Sequence, residues 1–86
     1  METNSVWCVK THIVDDYETI TDEVRLFKAL EDGQKFFNEI VKEERRIAND
    51  KEWVIEYDDN RYFEAYEDGC FAQNHSCVNL FEVEIE

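Results

Sequence analysis

The segment ALEDGQKFFNEIVKEERRIAN, from Ala29 to Asn49, is the only long run in the chain with clean helical periodicity. Its apolar residues recur at steps of three, four and seven, which places them on one stripe of a helix. The stripe comprises Leu30, Phe37, Val41 and Ile47, flanked by Phe36 and Ile40. Charged residues fall mostly on the opposite face: Lys35, Glu39, Lys42, Glu43, Arg45 and Arg46. The spacing therefore predicts one amphipathic helix that begins near Ala29, with the rest of the chain as strands and turns beneath it.

Gly33 lies within the first turns of this predicted helix. A glycine inside a helix costs about 1 kcal/mol relative to alanine. Its presence predicts either a close approach of the helix backbone to the sheet or strain that the fold tolerates.

Before the helix, Ser5 to Asp15 alternates with period two and predicts a half-buried strand. Its inward residues would be Trp7, Val9, Thr11 and Ile13. The polar run from Asp15 to Glu18 predicts a turn.

Thr19 to Phe27 fits two patterns. As a helix it would extend the apolar stripe backwards through Ile20 and Val24, with a cap at its start. As a strand it would place Ile20, Val24 and Leu26 on one face. We favour the strand, because one helix from there to Asn49 would be long for so small a domain and would leave the first strand without a neighbour in sequence.

Three further strands are predicted after the helix. Glu52 to Tyr57 would present Trp53, Ile55 and Tyr57 on one face, and Asp58 to Asn60 would form a hairpin turn. In the predicted strand from Arg61 to Glu67, Phe63 and Ala65 would lie on one face, and the other face would carry Tyr62, Glu64 and Tyr66. After a turn at Asp68 and Gly69 and a loop from Cys70 to Ser76, Cys77 to Glu86 alternates most regularly. Its predicted inward residues are Phe81, Val83 and Ile85, and its outward residues are Glu82, Glu84 and Glu86.

The element order is thus ββαβββ in a single domain over residues 1–86. The predicted class is α+β: an antiparallel β-sheet of four to five strands, covered on one face by a single helix.

Net charge is the strongest signal in the composition: 22 acidic residues against 9 basic ones give −13. Residues 1–24 carry −5, residues 25–51 carry +1 and residues 52–86 carry −9, so the excess lies on the predicted strands and turns. Such a field repels nucleic acid and steers basic partners toward the protein. Charge that serves solubility alone is the competing interpretation.

The cysteines and histidines suggest a second kind of site. Cys8, Cys70 and Cys77 are an odd number, which predicts reduced thiols rather than a disulfide framework. Cys70, His75 and Cys77 could supply three zinc ligands, or a thiol site. The paired C-x2-C elements of common zinc sites are missing, so we expect buried cysteines near a loop histidine and no cofactor.

Other classes of function receive less support. Met1 to Ser5 shows no basic segment followed by an apolar run, and no apolar stretch approaches the roughly 20 residues that span a bilayer, so a cytoplasmic protein without a membrane role is expected. Neither a glycine-rich phosphate loop nor a nucleophile elbow is present in the sequence, and we expect a protein that is not an enzyme.

The uncovered face of the predicted sheet is the main candidate site. It would display carboxylates and tyrosines together: Glu56, Tyr62, Glu64, Tyr66, Glu82 and Glu84. Residues two apart on a strand lie about 6.6 Å apart and neighbouring strands about 4.8 Å apart, which would make a lattice of negative charge. Tyrosine is favoured at binding surfaces, so this face is predicted to bind a basic protein partner. A solvated outer face is the alternative.

The segments RYFEAYEDG and NHSCVNLFEVEIE, together with the run from Leu26 to Glu44, resemble small acidic proteins of bacteriophages and mobile elements. That group is mostly uncharacterised, and the resemblance rests on turn and strand patterns. Some small acidic phage proteins inhibit host nucleases by imitating DNA or by blocking a basic cleft. The resemblance implies a phage-type inhibitor and assigns no residue a role. A module that pairs with itself, as a homodimer through an edge strand or the sheet face, is a further possibility.

Overall fold

A computed structural model describes residues 4–15, 18–69 and 74–85 of the chain. Its elements follow in the order β1 (Asn4–Asp15), β2 (Glu18–Phe27), α1 (Leu30–Asp50), β3 (Val54–Asp58), β4 (Tyr62–Tyr66) and β5 (His75–Ile85). The five strands form one sheet in the order β2-β1-β5-β4-β3, and every neighbouring pair is antiparallel. The predicted α+β class and the ββαβββ order are confirmed.

The ambiguous segment before the helix is a strand. It pairs with β1 from Trp7 opposite Phe27 to Asp15 opposite Glu18, as expected of two strands joined by a tight connection. Residues 16 and 17 of the predicted turn lie outside the described residues. The predicted start of the last strand also differs, since β5 begins at His75, two residues earlier than expected.

The helix α1 packs on one face of the sheet with a stripe that differs slightly from the predicted one. Phe37 and Val41 are buried as expected, but the C-terminal part of the stripe continues through Glu44 and Ala48 while Ile47 stays half-buried. The Ser76 hydroxyl donates a 3.0 Å hydrogen bond to the buried Glu44 carboxylate. A carboxylate that is buried with hydrogen bonds is compatible with a core position, which apolar spacing alone does not predict.

The core lies between α1 and the three middle strands. Its sheet side is formed by buried apolar residues: Val9, Phe63, Ala65, Val78 and Leu80. Phe37, Val41 and Ala48 fill it from the helix side, and Trp53 closes the end near β3. Trp7, Val9 and Thr11 of β1 point to the helix as predicted, and so do Phe63 and Ala65 of β4.

The predicted inner face of β5 is wrong. Directly opposite residues of an antiparallel pair share a face, and Leu80 lies opposite the buried Val9 whereas Phe81 lies opposite Cys8. The helix side of β5 is therefore formed by Ser76, Val78 and Leu80, followed by Glu82 and Glu84. Phe81 and Val83 point away from the helix by strand alternation.

The reason for this inversion is the length of β5 relative to the helix. Gly33, near the start of α1, lies over Leu80, so the strand continues to Ile85 past the part that the helix covers. Glu82 and Glu84 lie on the helix side, in this uncovered part of the strand. Glutamate does alternate with apolar residues in β5, but this alternation does not indicate which of the two sets faces the helix.

Of the two interpretations of Gly33, the structure shows the close approach of the helix backbone to the sheet. A Cβ atom built there would lie 3.2 Å from Leu80 Cδ1 and 3.5 Å from Trp7 Cβ. The helix backbone therefore sits directly on the sheet at this point, and the missing side chain is what permits that contact.

A β-bulge in β3 corrects the prediction for Tyr57. Ile55 lies opposite Ala65 and Tyr57 lies opposite Glu64, so Glu56 is an extra residue in the strand. This insertion turns Tyr57 to the face opposite the helix and turns Asp58 toward it. There Arg45 of α1 binds Asp58 through two hydrogen bonds of 2.8 and 2.6 Å.

The Arg45–Asp58 pair gives a stability that depends on pH. The hydrogen bonds from Arg45 lower the pKa of Asp58 below its usual 3.8. Because the folded pKa is depressed, the stabilisation is fully present above pH 3.8 and is lost as the pH falls through the lower folded value. We expect Asp58→Asn to reduce the free energy of unfolding by about 0.5–1 kcal/mol at pH 7, since the pair is partly exposed.

Urea denaturation between about pH 2 and pH 7 measures this effect. Asp59→Asn is the matched control, because it removes the same charge from the neighbouring exposed residue. A difference between Asp58→Asn and the wild type that stayed constant down to the lowest pH would contradict the role of the ion pair.

Candidate protein-binding surface

The sheet face that points away from α1, here called the open face, carries no helix within the described part of the chain. Its described members are set by register: Val6, Cys8, Lys10, His12 and Val14 of β1; Asp22, Val24 and Leu26 of β2; Val54 and Tyr57 of β3; Tyr62, Glu64 and Tyr66 of β4; His75, Cys77, Asn79, Phe81 and Val83 of β5. The apolar residues Val6, Leu26, Phe81 and Val83 lie together at one end, and the tyrosines lie with carboxylates on β3 and β4. The open face is thus divided into two surfaces of different chemistry.

The second of these surfaces, the tyrosine–carboxylate cluster, consists of Glu56, Tyr57, Tyr62, Glu64 and Tyr66. The rings of Tyr57 and Tyr62 lie 5.3 Å apart between their centroids. The Tyr62 hydroxyl donates to Glu64 Oε1 at 3.2 Å, and the Tyr66 hydroxyl donates to Glu56 Oε2 at 3.4 Å. Each carboxylate is thereby held beside a tyrosine ring.

Both of these hydroxyls stay protonated well above neutral pH. The hydrogen bond with the Cys77 thiol, whose sulfur lies 3.7 Å away, and partial burial raise the pKa of Tyr62. The negative charge of Glu56 is the main cause that raises the pKa of Tyr66. The cluster therefore presents neutral, hydrogen-bonding tyrosine rings next to the carboxyl groups of Glu56 and Glu64.

A depression in the surface adjoins the cluster where β4 ends and β5 begins. Three carboxylates line it, from Glu64, Glu67 and Asp68, together with the Tyr66 ring and the polar residues Asn74, His75 and Cys77. The Asn74 amide donates to Glu67 Oε2 at 2.7 Å, which fixes that carboxylate at the rim. Such a depression suits a cationic group with several hydrogen-bond donors.

The structure brings together four of the six residues that the sequence predicted for this site. Glu56, Tyr62, Glu64 and Tyr66 belong to the cluster. Glu82 and Glu84 do not, because they lie on the helix side of the sheet, where Glu82 accepts a 3.0 Å hydrogen bond from Ser5. The prediction of a continuous acidic lattice across the sheet face is therefore wrong. The negative charge of the site is concentrated on β3 and β4.

Tyr57 is the member of the cluster that sequence periodicity does not predict. Simple alternation from Ile55 places it on the inner face, and the bulge at Glu56 reverses that placement. Tyr57 is nearly half exposed, so its ring is available at the surface.

The residues of the alternative metal or thiol site are only partly described. Cys70 lies outside the described residues, whereas His75 and Cys77 are alternate residues of β5 on the open face. The His75 ring lies against that of His12, with centroids 5.0 Å apart and the ring planes tilted by 34°. Among residues 4–15, 18–69 and 74–85, no group of three or more histidine, cysteine or acidic side chains is arranged to hold a metal ion.

Comparison with protein-family models, with curated proteins and with solved structures finds no match to this chain. Within the described part of the chain, no helix combines the length and the apolar character needed to cross a membrane.

Proposed function

We propose that this protein is a non-enzymatic binding protein whose tyrosine–carboxylate cluster engages a basic surface of another protein. The observation that carries the proposal is the depression beside Tyr66, which three carboxylates surround. An arginine or lysine side chain of the partner would enter this depression, and the neighbouring rings would cover its aliphatic stem.

The chemistry of the cluster favours an arginine in particular. A guanidinium group is planar, donates several hydrogen bonds in fixed directions and stacks on aromatic faces. Glu64 and Tyr66 offer a carboxylate and a ring on the same strand face. A partner rich in arginine would therefore gain both ion pairing and stacking from the same few residues.

The whole chain supports this choice of partner. A net charge of −13 attracts basic surfaces from a distance and raises the rate of association. Basic clefts that normally hold nucleic acid fit this description. The more specific proposal is that this protein inhibits a partner with such a cleft, as a phage-type inhibitor or DNA mimic does. In a cytoplasmic setting the thiols of Cys8 and Cys77 would remain free, as they are in the structure.

The binding of a fluorescent octa-arginine peptide, followed by anisotropy at about 0.15 M salt, tests the proposal. Glu56→Gln combined with Glu64→Gln is expected to weaken binding by about tenfold, because two ion pairs of up to about 1 kcal/mol each are lost. Exposed charges more than about 8 Å from the peptide are largely screened at this salt concentration.

Glu82→Gln combined with Glu84→Gln provides the matched control. It removes the same two charges from the opposite side of the sheet and is expected to change the affinity less than about threefold. Equal weakening by both pairs would show that net charge alone attracts the peptide, and the cluster would then have no role as a site.

A further inference from the structure

The strand β2 forms an edge of the sheet and presents an unpaired backbone. It pairs with β1 alone in the part of the chain that the structure describes. The residues from Asp22 to Leu26 are all exposed, including the apolar Val24 and Leu26, which are 56% and 62% exposed. A long, exposed edge of this kind is a template for pairing with another strand.

The regular part of β2 is short and has a clear midpoint. Ile20 is an extra residue opposite the step from Ile13 to Val14, so the ladder with β1 is continuous only from Thr21 to Phe27. Val24 is the middle residue of that segment. If a second copy were related by a twofold axis at Val24, the two segments from Thr21 to Phe27 would pair antiparallel along their full length.

We propose that β2 pairs antiparallel with β2 of a second copy, with Val24 opposite Val24, to give a twofold dimer with one continuous sheet across both copies. In this register, Glu23 of each copy lies opposite Arg25 of the other. Two reciprocal ion pairs result, as a twofold interface requires.

The neighbouring registers place like charges opposite each other. A shift that centres the axis on Glu23 brings the two Glu23 side chains together, and an axis on Arg25 brings the two arginines together. Like charges directly opposite are destabilising. A shift by a single residue would join the helix side of one copy to the open face of the other. The pattern of charges therefore selects the register at Val24.

The residues on the helix side of β2 also favour pairing with a second copy of the chain. Glu23 and Arg25 lie on that side, where Arg25 donates to Glu23 at 3.3 Å and its guanidinium stands over the Phe36 ring. Half-buried Phe36 and Ile40 line a groove above this strand. Pairing at Val24 keeps both helices on one side of the sheet and brings the two apolar grooves side by side. This inference uses the edge of the sheet and does not depend on the function proposed for the open face.

Charge reversal tests the dimer by analytical ultracentrifugation. The wild type is expected to sediment at twice the 10.4 kDa mass of the chain. Glu23→Arg alone and Arg25→Glu alone are each expected to raise the dimer dissociation constant at least about tenfold, because both attractive pairs become repulsive. An equimolar mixture of these two variants is expected to recover the dimer, since every opposing pair then carries opposite charges.

Glu39→Arg and Lys42→Glu serve as controls, because they make the same kind of charge change on exposed positions of α1. Circular dichroism verifies that each variant is folded. A wild type that stays monomeric up to millimolar concentration would overturn the proposal, and so would a mixture that fails to dimerise although each variant is folded.

Disulfide cross-linking tests the register of the proposed β2–β2 pairing. Directly opposed residues of an antiparallel pair have Cα atoms about 4.5–5.5 Å apart, which a disulfide can span. Mild oxidation of the Val24→Cys variant is therefore expected to give a dimer cross-linked through position 24 of both copies, identified by mass spectrometry of the linked peptide. Leu26→Cys is expected to give no cross-link at position 26, because Leu26 lies opposite Asp22 of the second copy. Cross-linking at position 26 and not at position 24 would contradict the Val24 axis.

Discussion

Leu80→Ala is expected to reduce the free energy of unfolding by about 2–5 kcal/mol. Leu80 is 2% exposed and lies between Val9 and the first turns of the helix. Truncating the Leu80 side chain leaves a cavity beneath Gly33. Because Gly33 has no side chain that could move into this cavity, we expect the cavity to remain largely open. The loss would be a large part of the roughly 5–15 kcal/mol that stabilises a typical domain.

Urea denaturation measures the effect, and Leu26→Ala is the control with the same change of side chain. Leu26 is 62% exposed, so its truncation is expected to cost no more than about 0.5 kcal/mol. Val83→Ala is informative as well, because the alternation pattern placed Val83 in the core. A larger loss for Val83→Ala than for Leu80→Ala would show that the other face of β5 packs under the helix.

Gly33→Val is expected to destabilise the protein by about 1–3 kcal/mol, although valine forms helix more readily than glycine. The new Cβ would lie 3.2 Å from Leu80 Cδ1, 3.5 Å from Trp7 Cβ and 3.6 Å from Phe27 Cδ2, so little space remains for the two methyl groups of valine. The helix would have to move away from the sheet, which would loosen the contacts on either side.

Lys35→Val separates this steric effect from helix propensity. Lys35 is exposed on the same helix, so its replacement carries only the propensity cost of about a few tenths of a kcal/mol. Thermal unfolding of both variants gives the comparison. Gly33→Val as stable as the wild type would mean that the helix does not rest on the sheet at this residue.

The helix and most of the strands could be predicted because periodicity reports which residues share a face. The stripe through Phe37 and Val41 placed the helix close to its observed ends, and Trp7 and Val9 identified the covered side of β1. Periodicity does not say which of two apolar sets is covered when both faces of a strand contain them. In β5 both sets occur, and the start of the helix over Leu80 decides between them.

The candidate site was predicted in part for the same reason. Tyr62, Glu64 and Tyr66 alternate with the strongly apolar Phe63 and Ala65, so their face was certain once β4 was identified. Glu82 and Glu84 were misplaced with the whole of β5. Tyr57 required knowledge of the bulge at Glu56, and a single extra residue has no signature in the alternation of so short a strand.

The most direct test of the proposed function is to map octa-arginine on the ¹⁵N-labelled protein by NMR titration. We expect chemical-shift changes to concentrate on Tyr57, Glu64 and Tyr66 and on the neighbouring rim at Glu67 and Asp68, with saturation at a common affinity. Changes of similar size spread over every acidic segment, including Glu82 and Glu84 on the helix side, would contradict the proposal and would leave the charge of the protein as a general property of its surface.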